Sequence, residues 1–196
     1  MNRVAPPFSI TVCGVAELGG HCTSGASHVL SILDPEHPVP AAFGAFGEHE
    51  KLELRFHDVI DPTPDAMAPE PEHVEALLAF GRDMNNATHL LVHCFAGVSR
   101  STASMSMILA QAMPDLPEDA VLSMVYGIRD KAWPNIRMIT FGDKLLGRNG
   151  RLIEATHALH RLQMEQRPKL AEFMIGEGRG REVEAARNHR MLGQTA

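Results

Sequence analysis

The sequence predicts an α/β domain in which a short central, mostly parallel sheet is flanked by helices. Three observations lead there. Short apolar runs alternate with helical periodicity in the first half of the 196-residue chain. Helical periodicity alone fills the second half. One continuous apolar run, HLLVH at 89–93, has the character of a strand buried on both faces.

In chain order, FSITV at 8–12 reads as the first strand and HVLSIL at 28–33 as the second, which the DPEHPVP turn chemistry stops. KLELRFHDV at 51–59 alternates apolar and polar residues and makes a third strand. A proline-rich loop follows at 61–72. Val74, Leu77, Leu78 and Phe80 then recur at helical spacing until Asn85 and Asn86 close the segment. HLLVH is the fourth strand. STASMSMILAQAM has no proline, and its Met105, Ile108, Leu109 and Met113 suit a central buried helix. Pro117-Glu118-Asp119 opens a helix that ends near Gly127. AWPNIRMITFGDKLLG is a helix opened around Pro134-Asn135 and closed at Gly147 or Gly150, and Leu152, Ile153, Leu159 and Leu162 carry a last one. Residues 1–165 form the domain. Residues 166–196, charged and carrying GEGRGRE at 176–182, read as a helical or disordered tail without a sustained apolar face.

Composition narrows the function classes. A hydrophobic fraction of 44% and a charged fraction of 21% are ordinary for a soluble enzyme. The net charge of −6 argues against a general nucleic-acid or anionic-membrane surface. Cys13, Cys22 and Cys94 are odd in number and lack paired spacing, which argues against a disulfide framework or a zinc site. The histidines are scattered without metal spacing, so no metal or cofactor is expected. The apolar stretch from Phe8 to Val15 is too short for a signal peptide, and no run reaches membrane-spanning length. A reducing cytoplasm is the expected setting, where a thiol stays reactive. The oligomeric state is not set by the sequence.

Chemistry concentrates at THLLVHCFAGVSRST, residues 88–102. His93 and Cys94 end the buried strand, and Arg100 and Ser101 open the helix after five intervening residues. The pair His21-Cys22 is an internal control, because its sixth following residue is His28 rather than an arginine. A loop between a strand's carboxyl end and a helix amino terminus gathers free backbone N–H groups around one point. Those donors and the helix dipole bind a tetrahedral oxyanion, and Arg100 adds a bidentate fork. The same field favours the thiolate of Cys94, a nucleophile at neutral pH. Gly97 permits a close approach that a side chain would obstruct. Ser101 can hydrogen-bond the sulfur and help it leave in a second step. His93 is expected to orient the loop, since a thiolate needs no base.

HCFAGVSRS resembles the signature loop of the cysteine-dependent protein tyrosine phosphatases, especially the compact dual-specificity branch. The resemblance takes in the upstream strand with its aspartate, the intervening helix and the downstream Pro134-Asn135 pair, over residues 8–165. The RFHDV segment is similar to one in a bacterial set of predicted tyrosine phosphatases. The resemblance implies that Cys94 attacks phosphorus and that Phe95, Ala96, Gly97, Val98, Ser99 and Arg100 bind the phosphoryl group. It implies that an aspartate protonates the leaving oxygen, that water then hydrolyses a phosphocysteine, and that no metal takes part. For Asn135 it implies a buttress to the loop, while a helix cap beside Pro134 explains the residue equally well.

Spacing from Cys94 prefers Asp61 as the acid, whereas the RFHDV frame and the rigidity of a strand end prefer Asp58. Asp58 is taken as the acid, with Asp61 as runner-up and Asp65 as a turn residue. The expected substrate is a phosphorylated protein, phosphotyrosine first, or a small phosphomonoester. The five loop residues 95–99 carry no Lys or Arg, which disfavours a polyanionic lipid headgroup. Two other classes stand beside hydrolysis: a phosphate-binding module without catalysis, and a sulfurtransferase carrying a persulfide on Cys94. The tail beyond 165 contains no residue assigned to the site and is expected to be dispensable for turnover.

Overall fold

The computed structural model describes residues 5–189. Four parallel strands form one sheet in the order β1-β4-β2-β3: β1 is Ser9–Gly14, β2 His28–Leu33, β3 Glu50–Arg55 and β4 His89–Cys94. Every pairing is parallel, and the central β4 sits between β1 and β2, with Gly14 opposite Cys94 and Ser31 opposite His93. The third strand ends at Arg55, earlier than the alternation through Val59 predicts, because residues 56–60 leave the ladder to pass over the carboxyl edge of the sheet. Two short 3-10 turns, Val15–His21 and Ala41–Ala45, fill connections that carry no periodic signal.

The helices are α1 Pro71–Gly81, α2 Arg100–Ala112, α3 Glu118–Ile128, α4 Ile136–Leu145 and α5 Arg151–Gln166. Of these, α2 is the most deeply set. Eleven of its residues, Arg100 to Ala110, are buried, and Met105, Met107, Ile108 and Leu109 join the main core with Leu30, Val92 and Leu77. The other sheet face is covered by a smaller cluster of Cys13, Leu18, Val29 and Leu91. Burial on both faces is why HLLVH is a continuous apolar run.

The segment expected as a helical or disordered tail is helical, and it carries an apolar face that the sequence reading did not find. Residues 168–188 form α6, Pro168–Met174, a π turn at Ile175–Arg179, and α7, Gly180–Asn188. Its apolar face is split at Gly178, where φ is 75°, so neither half carries a long enough stripe to register in the sequence. Ala171, Met174 and Val183 nevertheless form a third cluster with Trp133 and with Val98 of the loop after β4. The last residues assigned to the tail, 190–196, lie outside the described residues.

Candidate active site

Cys94 is the last residue of β4 and Arg100 the first of α2, so residues 95–99 close the gap between a strand's carboxyl end and a helix amino terminus. The loop's carbonyls all turn outward. Phe95 O accepts from Val15 N at 2.9 Å, and Val98 O accepts from Trp133 N at 2.9 Å. Arg129 donates to Gly97 O at 2.9 Å and to Ala96 O at 3.2 Å, and Ser99 O accepts from Ala103 N at 2.9 Å. With the carbonyls held from outside, the amide N–H groups of 95–99 make no hydrogen bond among the described residues. A set of unpaired donors at a helix amino terminus is a cradle for an anion. Gly97 makes the turn possible. Its φ is 66°, and a Cβ there would stand 2.4 Å from the carbonyl carbon of Cys13.

Cys94 is buried, with its Sγ 3.2 Å from Ser101 Oγ. Arg100 is 2% exposed, and its Nη1 donates to Asp34 Oδ1 at 2.6 Å and to Phe56 O at 2.5 Å. Its buried Nε has no hydrogen-bond partner among the described residues. One edge of the guanidinium is therefore anchored while the other keeps its donors, the state a bidentate oxyanion ligand needs.

Asp58 stands beside that free edge, its Oδ2 3.9 Å from Arg100 Nε. Its Oδ1 accepts three hydrogen bonds, from Ser99 Oγ at 2.8 Å, Asn135 Nδ2 at 2.9 Å and Arg179 Nη1 at 3.0 Å. Burial would raise the proton affinity of this carboxyl. The Arg179 and Arg100 guanidiniums, with Asn135 and Ser99, outweigh it and hold the group below its ordinary value. Asp61 is exposed and paired with Arg181 at 2.7 Å. Asp65 is exposed in the proline-rich loop. Only Asp58 of the three candidate aspartates touches the loop through hydrogen bonds among the described residues.

Of the two roles the sequence left open for Asn135, the cap is formed, while its side chain reaches Asp58 and not the loop itself. Its Oδ1 caps α4 by accepting from Arg137 N and Met138 N, while its Nδ2 donates to Asp58 and to Val59 O. His93 lies on the opposite sheet face from Cys94 and packs against Phe43 at 5.5 Å. Burial pushes its pKa down to about 4, so it is a neutral ring near pH 7. Sequence reasoning missed four contributors: Asp34, Arg129, Glu17, which pairs with Arg129 at 2.7 Å, and Arg179. Each is separated from Cys94 by dozens of residues and sits in no local pattern, so only the folded chain brings it in. One group of metal-capable side chains, Glu154, His157 and His189, occurs among the described residues. Within it, His189 Nδ1 lies 3.0 Å from Glu154 Oε2.

No protein-family model matches the chain, and no curated protein matches it. Solved structures do. Human DUSP28 is 19% identical with a TM-score of 0.54, over 75% of this chain and 96% of that one. The PTP-2 phosphatase of Cydia pomonella is 19% identical with a TM-score of 0.53, over 69% and 84%. DUSP15 is 20% identical with a TM-score of 0.50, over 85% and 96%. At these identities the likeness is one of architecture. The chain has the fold of the cysteine-dependent tyrosine and dual-specificity phosphatases.

Proposed function

We propose that the protein is a phosphomonoester hydrolase, a protein-tyrosine phosphatase that works through a phosphocysteine on Cys94. The observation that carries this reading is the loop itself. Among the described residues five consecutive amides have no acceptor, their carbonyls are tied back, and a guanidinium with one free edge stands beside a buried cysteine. That arrangement fits the three equatorial oxygens of a phosphoryl group in transfer.

In the first step the Cys94 thiolate attacks phosphorus in line with the ester oxygen, and the P–O bond breaks as Asp58 gives its proton to the leaving oxygen. The resting Asp58 is a carboxylate. A dianionic phosphate entering beside Arg100 offsets the cationic field and raises the proton affinity of Asp58, which protonates it for the step. In the second step water attacks phosphorus, Asp58 takes the water's proton, and the P–S bond breaks. Ser101, 3.2 Å away, donates a hydrogen bond to the departing sulfur. No metal enters either step.

Phosphotyrosine is favoured because Phe95 is 59% exposed at the rim and stacks edge-on with His37 at 5.7 Å, an apolar border suited to an aryl group. The loop's lack of Lys and Arg disfavours polyanionic headgroups. The setting proposed is the cytoplasm, where a reactive thiol such as Cys94 stays reduced; no described helix is long and apolar enough to cross a membrane. The test is phosphate release from an aryl phosphate, run beside a thiosulfate assay. Phosphate release that disappears in Cys94→Ser supports the reading. Thiocyanate formation without phosphate release would replace it with sulfur transfer, and phosphate binding without turnover would leave a binding module.

A further inference from the structure

Arg179 belongs to the segment that the sequence presents as a tail, yet it is 2% exposed and reaches into the loop after β4. One terminal nitrogen, Nη1, donates to Asp58 Oδ1 and to Ser99 Oγ, both at 3.0 Å. The other, Nη2, donates to Glu182 Oε1 at 2.7 Å. Glu182 is itself buried. Its Oε1 also accepts from Ile136 N at 2.8 Å, and its Oε2 accepts from Trp133 Nε1 at 2.7 Å. Trp133 N returns to Val98 O, so the chain of contacts closes on the loop it left. The 130–136 connection is pinned from the far side by α5, through His160 to Pro134 O at 3.0 Å and Gln163 to Ala132 O at 2.9 Å.

A buried guanidinium is costly to desolvate unless its partners are well placed, so a surface helix would gain nothing from burying it there without such partners. The apolar contacts run the same way. Met174, Ala171 and Val183 pack with Trp133 against Val98, which lies between the two ends of the cradle.

We propose that Arg179 is a positioning residue of the active site, and that the helical segment 168–188 completes the phosphate-binding loop instead of hanging from it. Arg179 has two tasks. It fixes Ser99 at the helix end of the cradle. It also occupies Asp58 Oδ1, which leaves Oδ2, the oxygen nearer Arg100, as the place for the transferable proton. The charged or titratable groups that face it are Asp58, Glu182, Arg100 and His160, and burial keeps His160 neutral. This inference rests on the reading of Asp58 as the acid.

The experiment compares full-length wild type, Arg179→Met and Arg179→Lys. Turnover is measured on aryl phosphates with good and poor leaving groups across pH, and inorganic phosphate binding is followed by emission of Trp133, the single tryptophan. Arg179→Met is expected to lose roughly tenfold or more in kcat on the poor leaving group and much less on the good one. Its alkaline limb in kcat should move to higher pH, because Asp58 loses a cation that lowers its proton affinity. Added guanidinium should restore part of the loss, and Arg179→Lys should fall between the two.

Equal losses on both leaving groups with an unmoved limb would overturn the assignment, as would turnover within about twofold of wild type. If Arg179→Met does not fold, the same two readouts on Arg179→Lys decide. If wild type binds phosphate but turns nothing over, the hydrolase reading fails. Weaker phosphate binding in Arg179→Met would then still support the loop-completing role, and unchanged binding would overturn it. If wild type neither binds nor turns over, both readings fall.

Discussion

Asp58 is the residue on which the proposed chemistry turns, because the carboxylate that braces the loop through Ser99 is also the proposed acid. Three donors on Oδ1 keep it in place, and Oδ2 lies free near Arg100. Asp58→Asn should lower kcat by roughly 10²-fold on a poor leaving group and much less on nitrophenyl phosphate, where little protonation is needed. A leaving-group series on the purified variant checks this, and a uniform loss would mean that Asp58 only supports the loop. Arg100→Lys should fail on every substrate, since an ammonium replaces neither the anchored edge at Asp34 and Phe56 nor the free one. Phosphate binding by the variant distinguishes this from a slower chemical step. The sequence made Cys94, Gly97, Arg100 and Ser101 legible because they fall in one strand–loop–helix string. It favoured Asp58 by the RFHDV frame and by the rigidity of a strand end, although β3 ends three residues earlier at Arg55. Asp34, Arg129 and Arg179 were out of reach because a contact across 66, 32 or 80 residues leaves no local periodicity.

Elements were readable wherever burial is one-sided or complete. β2 and β4 lie where their apolar runs put them, and α2 has the proline-free, methionine-rich run of a helix surrounded by core. The third strand was read four residues too long, because HDV continues the alternation although its backbone has already left the sheet. The α6–α7 segment, read as a helical or disordered tail, is helical, and its apolar face went unread because Gly176, Gly178 and Gly180 interrupt it. At the start of α4, Asn135 ties helix capping to the site. Asn135→Ala should cost about 1 kcal/mol or more from the cap alone. It should also lower kcat, whereas a cap used only for stability would leave kcat untouched once the protein is folded. Denaturant titration and steady-state kinetics on the same sample separate the two.

For the molecule as a whole, the loop after β4 is held from four directions: by Val15 in the turn that follows β1, by Arg129 with Glu17, by Trp133, and by the C-terminal helices through Arg179. Stability and site geometry are therefore coupled, with a defined pH signature. Asp58 is held below its ordinary 3.8, so its contribution is fully present above that value and is lost as pH falls through the folded-state value. Glu182, raised by burial despite Arg179, runs the other way, and its contribution falls as pH rises above 4.5. Thermal unfolding across this range should show wild type losing stability on the acid side more steeply than Asp58→Asn. Parallel curves would mean that Asp58 is not the group that titrates.

The reading of this fold as a phosphatase depends most directly on a covalent bond between Cys94 and phosphorus. Intact-protein mass spectrometry of acid-quenched Ser101→Ala, mixed briefly with nitrophenyl phosphate, measures that bond. Ser101→Ala slows departure of the sulfur, so a species heavier by one phosphoryl group should accumulate, map to Cys94 and be absent from Cys94→Ser. Steady release of nitrophenol with no phosphoryl group on Cys94, or with the adduct on another residue, would contradict it.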